Sequence, residues 1–265
     1  MFLRVILIDE RIFMRIGLLS SQNLSEFVLN TLKPVFEDKR MEIKLVIIDS
    51  KPKLTLKQKI KKNFKRGRGG YMFVMAVQSY FNKKQPSIST KEFCIEKGIS
   101  YFETNDHYST ETIEKIQQHN LDVLVLTGGF GIIKKPLLNL TPWGVLSYHH
   151  GNMRKYRGMP PAFWELYNNE QVMGVTVQLL SAGLDCGVPV EEIDIPIRRI
   201  DTLKVLKSKA MKQSEIMLWK ALVKLETKTF IPEKIIEFGK IYTLPNMKQW
   251  LIFQFKLLCR FLKIS

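Results

Sequence analysis

The alternation of strand-like and helix-like segments in the first half of the chain is the feature that most constrains its fold. The stretch MRIGLLSSQ (14–22) is typical of a buried strand, NLSEFVLNTLKPVFEDK (23–39) has helical periodicity, and IKLVIID (43–49) is a second strand. Strand, helix and strand at this spacing form a βαβ unit, and such units build parallel sheets. Residues 1–13 precede the unit as an extra edge strand or as an extension upstream of the true start.

The same alternation continues toward the C-terminus. After a helix predicted over 69–81, the pattern predicts a strand at 99–104, a helix at 110–120 and strands at 121–129 and 145–150. We therefore expect an α/β fold with a Rossmann-like open, mostly parallel sheet and helices on both faces. Further along, the pattern predicts a helix from 160, strands at 174–180 and 189–197, and one long helix at 201–226 capped by Asp201.

Three strand ends carry residues suited to ligand binding, namely 104–107, 128–131 and 147–150. Ligands of open α/β sheets bind beyond the carboxyl ends of the strands. The first strand is not followed by G-x-G-x-x-G, which disfavours a dinucleotide cofactor.

The charge of the chain points to anionic partners. Lys and Arg number 41 against 25 Asp and Glu, a formal net charge of +16. Nucleic acid, anionic lipid and phosphorylated metabolites are all compatible with such an excess. The run KPKLTLKQKIKKNFKRGR (51–68) contains nine basic residues and no acidic one. It is either a solvated basic helix or an anion-binding surface.

The cysteines and the termini bear on the cellular location. Cys94, Cys186 and Cys259 are isolated, which fits a reducing cytoplasm and predicts neither a disulfide framework nor a zinc knuckle. The N-terminal apolar run is too short and too charged for a secretory signal. The tail MKQWLIFQFKLLCRFLKIS (247–265) interleaves basic and apolar residues. It is either an interfacial amphipathic helix or a helix that docks on its own domain or on a second subunit.

The densest cluster of reactive residues lies in GVLSYHHGNMRKYRGMPPAFWELYNNEQVMGVTVQLLSAGLDCG (144–187). This segment resembles the signature of the folate-dependent formyltransferases, which include methionyl-tRNA formyltransferase, glycinamide ribonucleotide transformylase and the sugar N-formyltransferases. The matching features are Gly144, His149, Arg157-Gly158, Pro160-Pro161, Trp164, Gly174-Val175-Thr176 and Asp185-Cys186-Gly187. The resemblance implies a catalytic domain over 14–226, followed by a C-terminal extension over 227–265.

The resemblance also implies a catalytic pair. His149 would stabilise the oxyanion of a tetrahedral intermediate, and Asp185 would hold the charge of His149 and accept the proton of the attacking amine through water. His150 follows on the opposite side of the strand, where packing is its expected role. A metal site needs three or four convergent ligands, so we predict no metal.

Two departures from the family pattern concern the site directly. Ser147 stands where the family has asparagine, and Gly151-Asn152-Met153-Arg154 replaces Ser-Leu-Leu-Pro. Losing one aligned oxyanion donor costs about two to three orders of magnitude in rate. Ser147, His150 or a water molecule therefore takes over the role of the asparagine, or activity is weak or absent.

The resemblance implies 10-formyltetrahydrofolate as the formyl donor, recognised largely through main-chain groups of two loops. They comprise Phe130, Gly131, Ile132 and Ile133 in the first loop, and Ser181, Ala182, Gly183 and Leu184 in the second. For the acceptor substrate we expect contacts with Arg154, Lys155 and Arg157 beside the catalytic strand, and with His107 at a neighbouring strand end.

The sequence identifies the acceptor amine less directly than the formyl donor. Methionyl-tRNA formyltransferases carry an additional C-terminal β-barrel domain, for which the tail shows no strand pattern, so nucleic acid is disfavoured. We expect a nucleotide-linked amino sugar of surface-glycan synthesis, whose diphosphate suits the basic charge. The alternatives are a methionyl-tRNA formyltransferase-like enzyme, a formyltetrahydrofolate hydrolase, or a catalytically impaired binding protein of this fold. The expected location is cytoplasmic with peripheral contact at the inner membrane face through 247–265, and a homodimer is compatible with this.

Overall fold

The strands in the described part of the chain form one large sheet and two small ribbons. The computed structural model describes residues 13–52, 54–67, 74, 86–233 and 235–262. Its strands are β1 (Met14–Ser20), β2 (Asn23–Ser25), β3 (Met41–Asp49), β4 (Ser87–Ser89), β5 (Ser100–Thr104), β6 (Val123–Leu126), β7 (Val145–His149), β8 (Tyr156–Gly158), β9 (Val172–Leu179), β10 (Val188–Pro196) and β11 (Lys240–Tyr242). The predicted helix over 69–81, apart from residue 74, and residues 1–12 of the predicted edge strand or extension lie outside the described residues.

In the described residues the large sheet has seven strands in the order β10-β9-β7-β6-β1-β3-β5. The five strands from β7 to β5 run parallel, and β9 and β10 add an antiparallel edge. The central strands β1 and β6 are buried along most of their length, which explains why their sequences are nearly continuous apolar runs. The prediction of a mostly parallel open sheet is confirmed.

Helices cover both faces of this sheet. They are α1 (Glu26–Glu37), α2 (Leu56–Lys65), α3 (Thr90–Lys97), α4 (Thr110–Gln117), α5 (Phe163–Tyr167), α6 (Leu203–Ser214), α7 (Met217–Glu226) and α8 (Met247–Leu262), with a 3-10 turn at Leu137–Asn139. The larger core cluster joins one face of the sheet to α1, α6 and α7. The smaller cluster joins the other face to Ile116 of α4 and to Leu137.

The single long helix predicted over 201–226 is wrong, because the hydroxyl of Tyr148 interrupts it. Tyr148 donates to the Ser214 carbonyl (2.7 Å) and accepts from the Leu218 N–H (2.9 Å). In a continuous helix those two backbone groups would bond to each other, since they are four residues apart. The inserted hydroxyl therefore separates α6 from α7 and ties both helices to β7.

The predicted cap of that helix is also wrong by one residue. Thr202 is the N-cap and its hydroxyl accepts from the Val205 N–H, 3.2 Å away. Asp201 is instead buried, accepts from the Arg198 N–H and forms a salt bridge with Lys209 (2.6 Å). An aspartate next to a helix start is a good cap candidate, but the buried ion pair takes its carboxylate away.

The C-terminal segment packs against the rest of the protein. β11 pairs in parallel with β8, and α8 buries Phe253 and Leu257 beside α5, with Phe253 4.5 Å from the ring of Phe163. Arg199 donates to the carbonyls of Arg260 and Phe261 at the C-terminal end of α8. One side of α8 thus docks on its own chain, as one of the two interpretations of the tail expected.

Candidate functional site

The site is built around His149, the last residue of β7. This strand lies between parallel β6 and antiparallel β9, so its carboxyl end opens onto the edge where ligands of α/β sheets bind. The ring of His149 is buried, and its Nε2 lies 2.7 Å from the carbonyl oxygen of Tyr156. A Cβ at position 151 would lie 2.7 Å from that nitrogen, so Gly151 makes room for the ring. This glycine belongs to the segment that departs from the family pattern.

The turn after β9 brings Asp185 to His149. Oδ2 of Asp185 lies 3.4 Å from Nδ1 of His149 and accepts the backbone N–H of Gly158 at 2.7 Å. The backbone of Asp185 is left-handed, with φ +46°. The structure thus brings together the two residues predicted to form the catalytic pair, although 36 positions separate them in the sequence.

Both ring nitrogens of His149 face hydrogen-bond acceptors. Nε2 faces the Tyr156 carbonyl oxygen and Nδ1 faces the Asp185 carboxylate. The orientation of the ring is therefore fixed from two sides.

Gln178 is a site residue that the sequence reasoning missed. It is fully buried on β9, its Oε1 accepts the Gly187 N–H at 2.9 Å, and its Nε2 lies 3.5 Å from Oδ1 of Asp185. The available signal was a long polar side chain in the otherwise mostly apolar strand sequence GVTVQLL, whose other polar residue is Thr176. The Gln178 side chain holds the C-terminal part of the turn, at Asp185 and Gly187.

Ser147 lies on β7 directly opposite Gln178 in the β7–β9 register. Its hydroxyl is half-buried and donates to the Tyr148 carbonyl at 3.4 Å, a long bond. The serine is on the same strand side as His149, two residues before it. The structure places a hydroxyl, and beyond it a buried carboxamide, where the family has an asparagine.

A cleft of about 690 Å³ opens beside the pair and is bordered by His149, His150 and Asp185. Two of its walls were not expected from the sequence. One is the cationic side of α2, with Lys59, Lys62 and Arg66, and the other is the segment Tyr242, Thr243 and Leu244 of the C-terminal extension. The extension therefore contributes to the cleft.

His150 packs rather than binds in this structure. Its ring stacks on Tyr148 (5.7 Å between centroids) and meets the edge of Phe27 (5.3 Å). Its Nε2 is buried without a hydrogen-bond partner among the described residues. Burial, with a smaller contribution from nearby His149, lowers the pKa of His150 to about 4, so the ring is neutral at pH 7.

Arg154 and Lys155 lie outside this cleft. They border a separate cavity of about 830 Å³ together with residues 233 and 235–240. Arg154 forms a bidentate salt bridge with Glu192 (2.6 and 3.1 Å), and Lys155 pairs with Glu170 (3.0 Å). The structure does not bring these two predicted substrate contacts to His149, and their charges are already balanced.

Arg157 and His107 occupy two further locations. The Arg157 guanidinium lies over the Phe238 ring (5.4 Å), and its Nε is buried without a described partner. His107 is 1% exposed, and its ring nitrogens contact Asp49 Oδ1 (2.8 Å) and Lys51 Nζ (3.3 Å). Their roles in substrate binding stay predictions.

The first predicted folate loop is held in place by aromatic residues. The ring of Phe130 stacks on His107 at 3.9 Å, and Ile133 is buried in the smaller core cluster. The Tyr108 hydroxyl donates to the Ile132 carbonyl (3.4 Å) and accepts from the Lys134 N–H (3.1 Å). Gly131 has φ +67° and open space at its Cβ position, so its backbone is accessible.

The second predicted folate loop leads into Asp185. The Ser181 hydroxyl donates to the Cys186 carbonyl at 2.7 Å and closes the loop, while Gly183 has φ +132°. Leu184 borders the cleft beside Asp185. The carbonyl oxygen of Ala182 lies 3.5 Å from the sulfur atom of Cys186. This loop therefore reaches the cleft directly.

Across the described ranges, no three His, Cys, Asp or Glu side chains are grouped so that they could hold a metal ion. No helix within those ranges has both the length and the apolar character to cross a membrane.

The sequence profile of the formyl transferase family matches residues 43–222, which include β7, His149 and Asp185. The chain belongs to the formyl transferase family. The resemblance seen in residues 144–187 is thereby confirmed.

Relatives in sequence include methionyl-tRNA formyltransferases. That of Caldanaerobacter subterraneus subsp. tengcongensis is 28% identical over 145 residues, covering 54% of this chain and 47% of that enzyme. That of Ruminiclostridium cellulolyticum is 32% identical over 105 residues, covering 40% of this chain and 34% of that enzyme. The matches thus span less than half the length of these relatives.

Solved structures of this family share the fold at low sequence identity. An N-formyltransferase from Helicobacter canadensis, solved with folinic acid and dTDP-3-aminofucose, has a TM-score of 0.59 at 14% identity, covering 92% of this chain and 80% of that one. Glycinamide ribonucleotide transformylase 1 from Symbiobacterium toebii also has a TM-score of 0.59, at 16% identity, covering 86% and 95%. The formyltransferase fold expected from the sequence is confirmed.

Proposed function

We propose that this protein is an N-formyltransferase that moves a formyl group from 10-formyltetrahydrofolate to a primary amine. The observation that carries the proposal is the pair formed by His149 Nδ1 and Asp185 Oδ2, 3.4 Å apart at the border of a cleft at the sheet's ligand-binding edge. Membership of the formyl transferase family supports the same reaction.

The two residues divide the chemistry of the transfer. As the amine nitrogen bonds to the formyl carbon, the carbonyl electron pair moves to oxygen, and the ring of His149 stabilises that negative charge by donating a hydrogen bond. Asp185 takes the proton released by the amine, directly or through one water molecule. The carbon–N10 bond then breaks and N10 takes up a proton, leaving a formamide and tetrahydrofolate. The 3.4 Å contact between the pair is the longer of the two contacts of His149, and a substrate oxygen can replace it.

The donor is proposed to bind between the two loops predicted for it. Main-chain groups of 130–133 and 181–184 are fixed by Tyr108 and Ser181, which suits recognition of a flat pterin by backbone hydrogen bonds. The Helicobacter canadensis N-formyltransferase was solved with folinic acid, which supports a formyl-folate donor for this family member.

For the acceptor we favour a nucleotide-linked amino sugar. Support comes from the dTDP-3-aminofucose bound to the Helicobacter canadensis enzyme and from the size of the cleft, which lies within the range of small-molecule sites. The sequence relatives favour a second candidate, the amine of a methionyl-tRNA. A formyltetrahydrofolate hydrolase, in which water attacks, stays an alternative for the same site.

Ser147 is compatible with an alternative in which the protein binds folate but does not catalyse transfer. With serine in place of the asparagine, the oxyanion has one aligned donor fewer, and the protein could bind folate without turnover. We favour catalysis because the His149–Asp185 pair and its supporting hydrogen bonds are intact.

The exposed side of α8 supports peripheral membrane contact. Leu251, Phe255, Leu258 and Leu262 form an apolar stripe on the side away from Phe253. A stripe of this kind on a cationic protein suits insertion among anionic headgroups.

The experiment that tests the proposed function offers the full-length protein a panel of amines together with 10-formyltetrahydrofolate. The panel contains nucleotide-linked amino sugars and methionyl-tRNA, and a control reaction contains no acceptor. Formylated product and tetrahydrofolate are quantified by mass spectrometry. Formylated amino sugar supports the proposal, formylated methionyl-tRNA supports the second candidate, and tetrahydrofolate without acceptor indicates hydrolysis. No product from any acceptor, with no folate binding by calorimetry, would overturn the enzyme assignment.

A further inference from the structure

The cationic side of α2 faces the cleft that contains the His149–Asp185 pair. Lys59, Lys62 and Arg66 border this cleft, and they are spaced three and four residues apart, which places them on one side of the helix. The remaining basic residues of the helix, Lys57, Lys61 and Lys65, do not border the cleft, although all six side chains are exposed. The helix therefore presents two cationic sides of equal formal charge, of which only one faces the site.

No acidic side chain of the described residues neutralises the three cleft-facing cations. Within the described part of the chain none of them forms a salt bridge, and Asp185 is the only acidic residue that borders the cleft. Arg154 and Lys155, by contrast, are paired with Glu192 and Glu170. Three adjacent cations beside a site produce a potential that attracts an anion, since their mutual repulsion is relieved when it binds.

We propose that Lys59, Lys62 and Arg66 form a subsite for phosphate groups of the amine substrate. This inference rests on the proposed function, because it assigns the acceptor side of the same cleft. The three residues extend over roughly 10 Å of helix axis, at 1.5 Å per residue, so the subsite suits two linked phosphates better than one. Arg66 adds bidentate hydrogen bonding, which lysine cannot provide.

The local structure fixes the position of this subsite. The Thr55 hydroxyl accepts the Gln58 N–H and the Gln58 side chain accepts the Thr55 N–H, a capping box that sets the start of α2. If α2 held the phosphates, the amine at the other end of the substrate would lie toward Asp185, which borders the same cleft. The phosphates could belong to a nucleoside diphosphate or to an RNA end, and the chemistry of the subsite is the same for both.

The test compares two triple variants of the full chain, K59A/K62A/R66A and K57A/K61A/K65A, which remove the same charge from opposite sides of α2. Binding of inorganic pyrophosphate and of uridine diphosphate is measured by isothermal titration calorimetry at two salt concentrations. We expect the first variant to bind both probes about 10- to 100-fold more weakly and to lose much of the salt dependence. The second variant is expected to stay within about threefold of the wild type, because its cations do not border the cleft. Equal losses in both variants, or no loss in the first, would overturn the inference.

Two further measurements separate this inference from the proposed function. Folinic acid binding should be unchanged in K59A/K62A/R66A, which also shows that the variant is folded. If pyrophosphate binding depends on the three residues but no acceptor is formylated, the subsite stands and the proposed function fails. If an acceptor is formylated with the same KM by the wild type and the variant, the subsite fails and the proposed function stands. An RNA hairpin bound more tightly than uridine diphosphate would support the subsite and contradict the sugar acceptor.

Discussion

Asp185 and His149 lie 3.4 Å apart, and both side chains contact the same short strand, β8. The carboxylate of Asp185 accepts the Gly158 N–H, and the His149 ring contacts the Tyr156 carbonyl. Both partners belong to β8, so this short strand sets the positions of the Asp185 and His149 side chains. β8 itself pairs with β11 of the C-terminal extension, which makes the extension part of the support of the site.

Changing Ser147 tests whether the serine is adapted to this site. We expect Ser147→Asn to lower kcat by about 10-fold or more, because the larger amide would displace Gln178, which braces the turn of Asp185. The check is steady-state kinetics with calorimetry of folinic acid as the control for folding. A gain of more than tenfold would contradict this expectation and would show that the natural site is impaired.

His150 makes the stability of the protein sensitive to acid. The folded-state pKa of about 4 lies below the unfolded value of about 6.5, so the folded state binds fewer protons between these values. The neutral His150 ring contributes about 3 kcal/mol to the free energy of unfolding. This contribution is complete above pH 6.5 and is lost as the pH falls toward 4. We expect His150→Leu to be at least as stable at pH 7, since the buried Nε2 has no described partner, and to lose less stability on acidification. Urea unfolding of the wild type and the variant at pH 7, 5.5 and 4.5 measures the stability and its pH dependence. The same pH dependence in the two proteins would contradict this role of His150.

The docking of α8 predicts opposite outcomes for two phenylalanines of the same helix. Phe253 is 1% exposed and packs on Phe163, whereas Phe255 is 67% exposed. We expect Phe253→Ala to lower the free energy of unfolding by about 3–5 kcal/mol and Phe255→Ala to change it by less than about 0.5 kcal/mol. Urea denaturation of the two variants checks this, and equal effects would show that α8 is not docked in this way.

The apolar stripe of α8 predicts binding to anionic vesicles. We expect the wild type to bind vesicles containing phosphatidylglycerol, and L251S/F255S/L258S to bind at least about 10-fold more weakly, since each buried apolar side chain contributes about 1.5–3 kcal/mol. The control I231S/I236S removes two exposed apolar side chains elsewhere and should bind like the wild type. Deleting 247–265 is less informative, because it would also remove the buried Phe253 and Leu257. Cosedimentation in which the triple variant equals the wild type would contradict peripheral contact through this helix.

The sheet and the His149–Asp185 pair could be predicted from the sequence because their signals are local. The central strands β1 and β6 are buried along most of their length and are therefore nearly continuous apolar runs, while the pair lies inside one contiguous motif. The break between α6 and α7 could not be predicted, because it depends on a hydroxyl from Tyr148, 66 residues before Ser214. Helical periodicity is unaffected by such an insertion.

The walls of the cleft depend on contacts between residues far apart in sequence. The basic run of α2 was recognised, but nothing in it indicates which side of the helix faces His149. Arg154 is close to His149 in sequence, yet Glu192 on β10 neutralises it and turns it to another cavity. Proximity along the chain was therefore a poor guide to which cations serve the site.

The most direct test of the central claim is the rate of formyl transfer by Asp185→Asn, measured with the best acceptor of the panel at saturating 10-formyltetrahydrofolate. Asparagine keeps the size of the side chain and an oxygen for the Gly158 N–H, but it does not accept a proton from the amine. We expect kcat to fall by about 10²- to 10⁴-fold while folinic acid binding is retained. A variant with a rate within threefold of the wild type would show that the His149–Asp185 pair does not carry the reaction.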